Sequence, residues 1–286
     1  MKQQLVNYAE AQKWASQQLE PIAFSGAKLE AEILLAHTLQ KQRTHLYAWP
    51  EKQLSSEHWE QFQSLVSRRA QHEPIAYIVG HKEFWSLELS VNPNVLIPRP
   101  ETELLVEVAL ANIGDNREAT IADLGTGSGA IAAAIASEQK GASIIAIERS
   151  EPALETAINN FNALNLTNVE TRLGSWCNTF SNDERFDLIV SNPPYIAEGD
   201  NHLQQGDLPS EPRQALSSGI DGLDDIRAIC NCAPNYLKPG GRLIVEHGYD
   251  QGNAVRQLFT QSGLANALTH QDLEGRDRIS EGIKNS

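Results

Sequence analysis

A doubly wound, mostly parallel α/β sheet preceded by a small helical bundle is the fold this sequence predicts, and three observations carry it. From Thr120 onward, short β-branched runs alternate with stretches of helical period. The first of those runs ends in a glycine-rich turn that opens an Ala/Ile-rich helix. Before Pro74 the apolar residues recur only at helical spacing.

Taken in order, Leu5, Val6, Ala9, Ala15 and Leu19 mark a first helix that ends before Pro21, and Leu29, Ile33, Leu34 and His37 mark a second. A third opens on Ser55 as cap, with Leu54 and Trp59 placed as a hydrophobic staple. Its apolar face runs Trp59, Phe62, Leu65, Val66, and Arg68 and Arg69 fall where a cation complements the helix dipole. From Phe84 to Ile97 the alternation predicts a strand pair turning at Asn92-Pro93-Asn94. Residues 1–72 are therefore expected as a helical domain, 73–98 as a linker with a β-hairpin, and 99–286 as the sheet domain.

Within the sheet domain, 121–124, 143–147, 168–173, 187–190 and 242–245 are expected as strands. Residues 130–137, 152–164 and 226–237 are expected as helices. Residues 196–222 form a long polar stretch, expected as a lid or substrate contact.

Length (286 residues), 41% hydrophobic and 21% charged content describe an ordinary globular chain. No apolar run approaches a membrane span, and Met1-Lys2-Gln3-Gln4 does not begin a signal peptide, so a cytoplasmic protein is expected. The net charge of −14 is uneven. Residues 1–98 carry nine Lys/Arg against ten Asp/Glu, whereas residues 99–286 carry 14 against 27. A sheet domain at −13 disfavours wrapping nucleic acid, which demands phosphate-neutralising cations, but tolerates a basic protein partner. Cys177, Cys230 and Cys232 are expected as reduced thiols, and His37, His45, His58 and His72 lack ligand spacing, so no metal site is expected.

Two motifs carry chemistry. Asp123-Leu124-Gly125-Thr126-Gly127-Ser128-Gly129 ends the first strand, and Glu148 ends the second, twenty-three residues after Gly125. Glycines let the backbone approach a ligand, and a carboxylate at the second strand end can accept both hydroxyls of a ribose. Gly125, Gly127 and Ala130 also satisfy the looser dinucleotide pattern of a hydride-transferring enzyme. Asp123 instead suits a ligand with a cationic amino group, such as S-adenosylmethionine. The second motif is Asn192-Pro193-Pro194-Tyr195, where two prolines force the chain out of the sheet after a buried strand. Asn192 and the Pro193 carbonyl can accept both N–H hydrogens of a planar nitrogen, with Tyr195 stacked on it. Together the motifs point to an adenosylmethionine-dependent methyltransferase acting on planar nitrogen.

Over essentially its whole length the sequence resembles the peptide-chain release factor glutamine methyltransferases, the PrmC/HemK family. The matching stretches are 73–77, 83–85, Leu96-Ile97-Pro98-Arg99-Pro100-Glu101-Thr102-Glu103, the Asp123–Gly129 loop, 191–195, 202–207 and Glu246-His247-Gly248. The resemblance implies a Rossmann-like class I fold and methylation of the Gln in the Gly-Gly-Gln motif of bacterial class-1 release factors, in support of translation termination. It implies adenosylmethionine contacts from Gly125 to Gly129, Glu148 and Trp176. Asn192, Pro193, Pro194 and Tyr195 would hold the glutamine, and residues 1–72 would recognise the substrate. The family often has Asp where this chain has Glu148, and an Asp beside the tryptophan where this chain has Ser175. Other readings are the sister enzyme acting on ribosomal protein uL3, a nucleic-acid adenine methyltransferase, and a non-catalytic adenosylmethionine-binding adaptor.

Overall fold

The structure, a computed structural model, describes residues 6–23 and 26–285. The expected first apolar position, Leu5, and the amino-terminal stretch read for a signal peptide lie outside the described residues. The chain forms two compact units, Met1–Gly80 with Gln204–Ser210, and His81–Leu203 with Glu211–Ser286. Among the described residues no helix is long and apolar enough to cross a membrane.

The first unit holds α1 (Tyr8–Leu19), α2 (Ala27–Leu39), α3 (Arg43–Ala48), α4 (Ser56–Ala70) and α5 (Ile75–Val79). Helix α1 opens on a reciprocal cap: the Asn7 side chain accepts from the Glu10 amide and the Glu10 carboxylate accepts from the Asn7 amide. Ser55 caps α4 through the His58 amide. Leu19, Leu34, Leu35, Phe62 and Val66 fill the core, and Trp14 packs edge-on against Trp59 at 4.9 Å. Arg69 differs from its expected role as a dipole-complementing surface cation. It is 1% exposed, pairs with Glu30 (2.9 Å) and also donates to Asp207 (2.8 Å), a residue of the 204–210 segment. Glu30 thus points inward on α2, while Leu29 and Ile33 of the expected apolar face are only half-buried.

The second unit begins with a hairpin, β1 (His81–Phe84) and β2 (Leu87–Ser90). Its turn is Trp85-Ser86, not Asn92-Pro93-Asn94: Phe84 pairs with Leu87, and both turn residues have positive φ (53° and 58°). Glu103 fixes that turn by accepting from the Trp85 amide at 2.8 Å. Asn92 to Asn94 do turn, closed by the Asn92 side chain on the Asn94 amide, but Val95 to Ile97 form no strand. The expected linker residues 81–98 belong to this unit.

After α6 (Glu103–Ile113) come β3 (Thr120–Leu124), α7 (Ala130–Glu138), β4 (Ser143–Glu148), α8 (Glu151–Ala163), β5 (Val169–Leu173) and β6 (Phe186–Ser191). These are followed by α9 (Asp224–Tyr236), β7 (Leu237–Glu246), α10 (Gly252–Gln261), β8 (Leu264–Gln271) and β9 (Asp277–Lys284). The sheet order is β5-β4-β3-β6-β7-β9-β8, with β3 to β7 parallel and β9 antiparallel to both of its neighbours. The doubly wound parallel sheet expected from sequence is therefore present, extended by an antiparallel edge.

Both faces are covered, so the strands read as continuous apolar runs while their side chains alternate. Ile121, Ile144, Leu188, Val190 and Ile244 pack toward α6, α7 and α8. Ala122, Leu124, Ile145, Ile147, Ile189, Leu243 and Val245 pack toward α9 and α10. From β3 the chain winds outward through β4 and β5, then returns to place β6 on the other side of β3. The switch point between β3 and β6 is where open α/β sheets bind ligands.

The cysteines correct an expectation. Cys177 and Cys232 form a disulfide, with Cα atoms 6.1 Å apart, and only Cys230 is free. Their 55-residue separation hid the pairing, because the segment after β5 and helix α9 meet only once they pack on the same sheet face. Cys230 is buried beside them, which pushes its thiol up to about 12 and keeps it protonated. Thiol titration of the unreduced, denatured protein should count one thiol, and three after reduction. Three before reduction would refute the bond.

Candidate active site

The site is assembled at the carboxyl ends of β3, β4 and β6. The glycine loop leaves β3 with its first amides already satisfied: Gly125 and Thr126 donate to the Ile147 carbonyl at 2.8 and 2.9 Å. Gly129 must be glycine, since its φ is +84° and a Cβ there would lie 2.7 Å from the Phe161 ring. The loop therefore sits tight against α8 and β4, and its outer surface faces a cavity.

Glu148 is locked at the end of β4. One oxygen accepts from the Gly127 amide (3.0 Å) and the other from the Ser150 amide (2.9 Å). Each carboxylate oxygen has a second lone pair, so capacity remains for two ligand hydroxyls. Trp176 lies opposite, its ring 3.3 Å from where a Gly125 Cβ would stand, and gives the cavity a flat aromatic wall. Pro98, Arg99, Pro212 and Gln214 also line the cavity. Buried Glu211 ties these walls together, accepting from the Ile97 amide (3.1 Å) and pairing with the Arg99 guanidinium.

Asp123 is not in the cavity wall. It is fully buried beneath the loop, where one oxygen accepts from the Thr126 hydroxyl at 2.6 Å and the other has no partner. Burial pushes this carboxyl up to about 7, against the opposing pull of the Thr126 bond.

Asn192 follows β6 and does line the cavity, together with Pro194. Its Nδ2 donates to Thr102 Oγ1 at 3.1 Å, and Oδ1 has no hydrogen-bond partner among the described residues. Pro193 is buried and is not part of the lining. Tyr195 is half-buried, also outside the lining, and its hydroxyl donates to Glu246 at 3.2 Å. Burial and the neighbouring Glu246 charge hold that phenol well above its ordinary range, so it stays neutral.

Of the expected residues, Gly125, Thr126, Gly127, Ser128, Glu148, Trp176, Asn192 and Pro194 line the cavity, and Asp123, Gly129, Pro193 and Tyr195 lie within two positions of lining residues in the sequence without lining it themselves. Sequence reasoning assigned no role to Thr102, Glu211, Glu246 or Gln251. Thr102 and Glu246 sit within stretches that carry the family resemblance, which was the available signal. Gln251 had none, yet its amide donates to the Tyr195 carbonyl at 3.0 Å and accepts from the Gly248 amide at 2.8 Å.

A carboxylate held at the end of β4, a glycine loop after β3 and an Asn-Pro-Pro-Tyr turn after β6, all at the switch point of a parallel sheet, are the arrangement of a class I S-adenosylmethionine-dependent methyltransferase. Comparison with known proteins agrees. Residues 10–80 match the PrmC N-terminal domain family and residues 115–279 a methyltransferase domain family. The chain is 47% identical over 255 residues to a release factor glutamine methyltransferase of Aliivibrio fischeri, covering 89% of each protein. It is 46% identical over 274 residues to that of Shewanella oneidensis, covering 96% of this chain and 95% of the relative. Among solved structures, the hMettl16 catalytic domain in complex with an RNA hairpin shares the fold. The TM-score is 0.57 at 15% identity, covering 77% of this chain and 81% of that one. The chain belongs to the release factor glutamine methyltransferase family. It is an S-adenosylmethionine-dependent protein-glutamine N-methyltransferase.

The residues present fit that cofactor: Glu148 has acceptor capacity left for a ribose, and Trp176 offers a flat face for an adenine. Glu148→Ala should weaken cofactor binding tenfold or more, since charge-assisted hydrogen bonds contribute roughly 1.5–3 kcal/mol. Calorimetry showing unchanged affinity would move the ribose elsewhere.

Proposed function

We propose that this enzyme methylates the side-chain amide nitrogen of the glutamine in the Gly-Gly-Gln motif of bacterial class-1 peptide-chain release factors. The observation that carries the reading is the Asn192 amide, with its nitrogen bound to Thr102 and its oxygen left over at the cavity that also holds Glu148 and the glycine loop. The names of the relatives and their near-complete overlap with this chain support the release factor as substrate.

Bound S-adenosylmethionine supplies an electrophilic methyl group on a sulfonium, so the leaving group is already activated. What the protein adds is position. An amide nitrogen is a poor nucleophile because its lone pair is delocalised into the carbonyl. Asn192 Oδ1 accepts one of its N–H hydrogens and the Pro193 carbonyl the other, which fixes the plane and leaves one lobe for in-line attack. The Tyr195 ring covers the amide and excludes water. The proton released after transfer passes to solvent without a dedicated base, since the N-methylated amide cation is strongly acidic. The helical unit, near-neutral and without residues in the cavity, serves recognition of the folded factor.

The test is mass spectrometry of the Gly-Gly-Gln peptide after incubation of unmethylated release factor with the enzyme and methyl-labelled cofactor. One methyl group on the glutamine supports the reading. Label appearing on ribosomal protein uL3, with the release factor unmodified, overturns it.

A further inference from the structure

Glu246 is an unexpected residue to find where it is. It ends β7, is 1% exposed, and one of its carboxylate oxygens accepts no well-aligned hydrogen bond among the described residues. Such a group costs stability, and a packed apolar side chain there would cost less. Its surroundings suggest what it is kept for. The Tyr195 hydroxyl donates to its other oxygen at 3.2 Å, and the Thr102 hydroxyl faces the same carboxyl. Thr102 in turn touches Asn192, with Oγ1 and Nδ2 3.1 Å apart.

We propose that Glu246 and Thr102 are positioning residues that determine which end of the Asn192 amide faces the substrate. The argument follows the protons. A carboxylate only accepts, and a threonine hydroxyl has one proton to give. With that proton directed to Glu246, Thr102 presents a lone pair to Asn192, so the Asn192 nitrogen must turn toward Thr102. The oxygen is then left for the glutamine N–H. Remove the acceptor, and the Thr102 proton can go to Asn192 Oδ1 instead. The Asn192 amide then turns over and meets the substrate NH2 with its own NH2, donor against donor. The polarity of the active amide is thus set two residues away, by a group that never touches substrate.

The electrostatics set the condition for this geometry, because only the ionised carboxyl is a pure acceptor. Burial pushes the Glu246 carboxyl up to about 7, while the Thr102 and Tyr195 hydroxyls and the Arg278 guanidinium favour its ionised form, and Glu101 opposes it. On its own strand, His247 is drawn toward the neutral form by burial and is engaged with Ser280 and the Gly248 carbonyl. Neither hydroxyl would be needed to pack this space. A valine has the shape of Thr102 without its proton.

This inference rests on the reading of Asn192 as the glutamine holder, and the experiment separates the two. Steady-state kinetics at saturating cofactor are measured with unmethylated release factor for Thr102→Val, Thr102→Ser, Glu246→Gln and Asn192→Ala, each checked for folding by circular dichroism. Thr102→Val and Glu246→Gln should lower kcat roughly ten- to hundredfold, with the KM for cofactor within about twofold, because only orientation is lost. Thr102→Ser should recover kcat to within about threefold of wild type, since it keeps the hydroxyl. Wild-type rates in Thr102→Val or in Glu246→Gln would overturn the relay, as would equal losses in Thr102→Val and Thr102→Ser, which would assign the role to the methyl group. A near-normal rate in Asn192→Ala would overturn the glutamine-holding reading itself. An inactive Asn192→Ala beside fully active Thr102→Val and Glu246→Gln would overturn the relay alone.

Discussion

Asn192→Ala should leave S-adenosylmethionine affinity within a few-fold and reduce turnover by roughly two to three orders of magnitude, the usual cost of removing a preorganised dipole at the reacting group. The separation follows from the geometry. Glu148, which fits the cofactor, is held by the Gly127 and Ser150 amides, and Trp176 lies beside Gly125; neither arrangement involves Asn192. Among the described residues the Asn192 side chain makes one hydrogen bond, to Thr102, so its removal strands no buried carboxylate and disturbs little of the fold. Calorimetry with the cofactor and single-turnover methylation read the two effects independently. Tyr195→Phe should be milder, because it keeps the ring and loses only the bond to Glu246. Loss of cofactor binding in Asn192→Ala would mean that the Asn-Pro-Pro-Tyr turn supports the loop rather than the amide.

The parts of this protein legible in its sequence are those decided by neighbours along the chain. The strands of the parallel sheet announced themselves because both faces are buried, so Ile144 to Ile147 carry no polar interruption. The glycine loop and the Pro-Pro turn were legible because φ > 0 and missing amide donors are local requirements. The antiparallel strands β8 and β9 were not expected: edge strand β8 exposes Asn266 and Leu268, and β9, paired on both sides, buries Ser280, Glu281 and Gly282, so neither carries a continuous apolar run. The hairpin was placed at the wrong turn because Asn92-Pro93-Asn94 is the stronger local signal. Trp85-Ser86 is instead held by Glu103, and Trp85 further by Glu138, from the next helices of the chain. The disulfide and Glu246 share this origin. Each is defined by partners 50 residues or more away, Cys177 with Cys232 and Glu246 with Tyr195, and no window of sequence contains both.

Arg69 is the sharpest case of the same limit, and it gives the largest expected effect on stability. A cation in the last turn of α4 reads as a surface residue. In the structure its guanidinium is sealed in, paired twice with Glu30 and once each with Asp207 and the Glu73 carbonyl. Arg69→Ala leaves Glu30, itself 3% exposed, as an uncompensated buried carboxylate, which costs about 3–5 kcal/mol. Asp207 is less demanding, with its side chain 30% exposed and able to turn to water. The loss should therefore follow Glu30, and Arg69→Met combined with Glu30→Met should recover most of it, because two apolar side chains of similar length need no partner. Asp207 would still be released, and with it the 204–210 segment, whose continuation at Pro212 and Gln214 lines the active-site cavity. Chemical denaturation should then show a stable double variant, while limited proteolysis cuts between 204 and 210 faster than in wild type. Equal stability of Arg69→Ala and wild type would show that Glu30 finds water or a proton at little cost. Unchanged proteolysis in the double variant would show that Asp207 does not hold the segment.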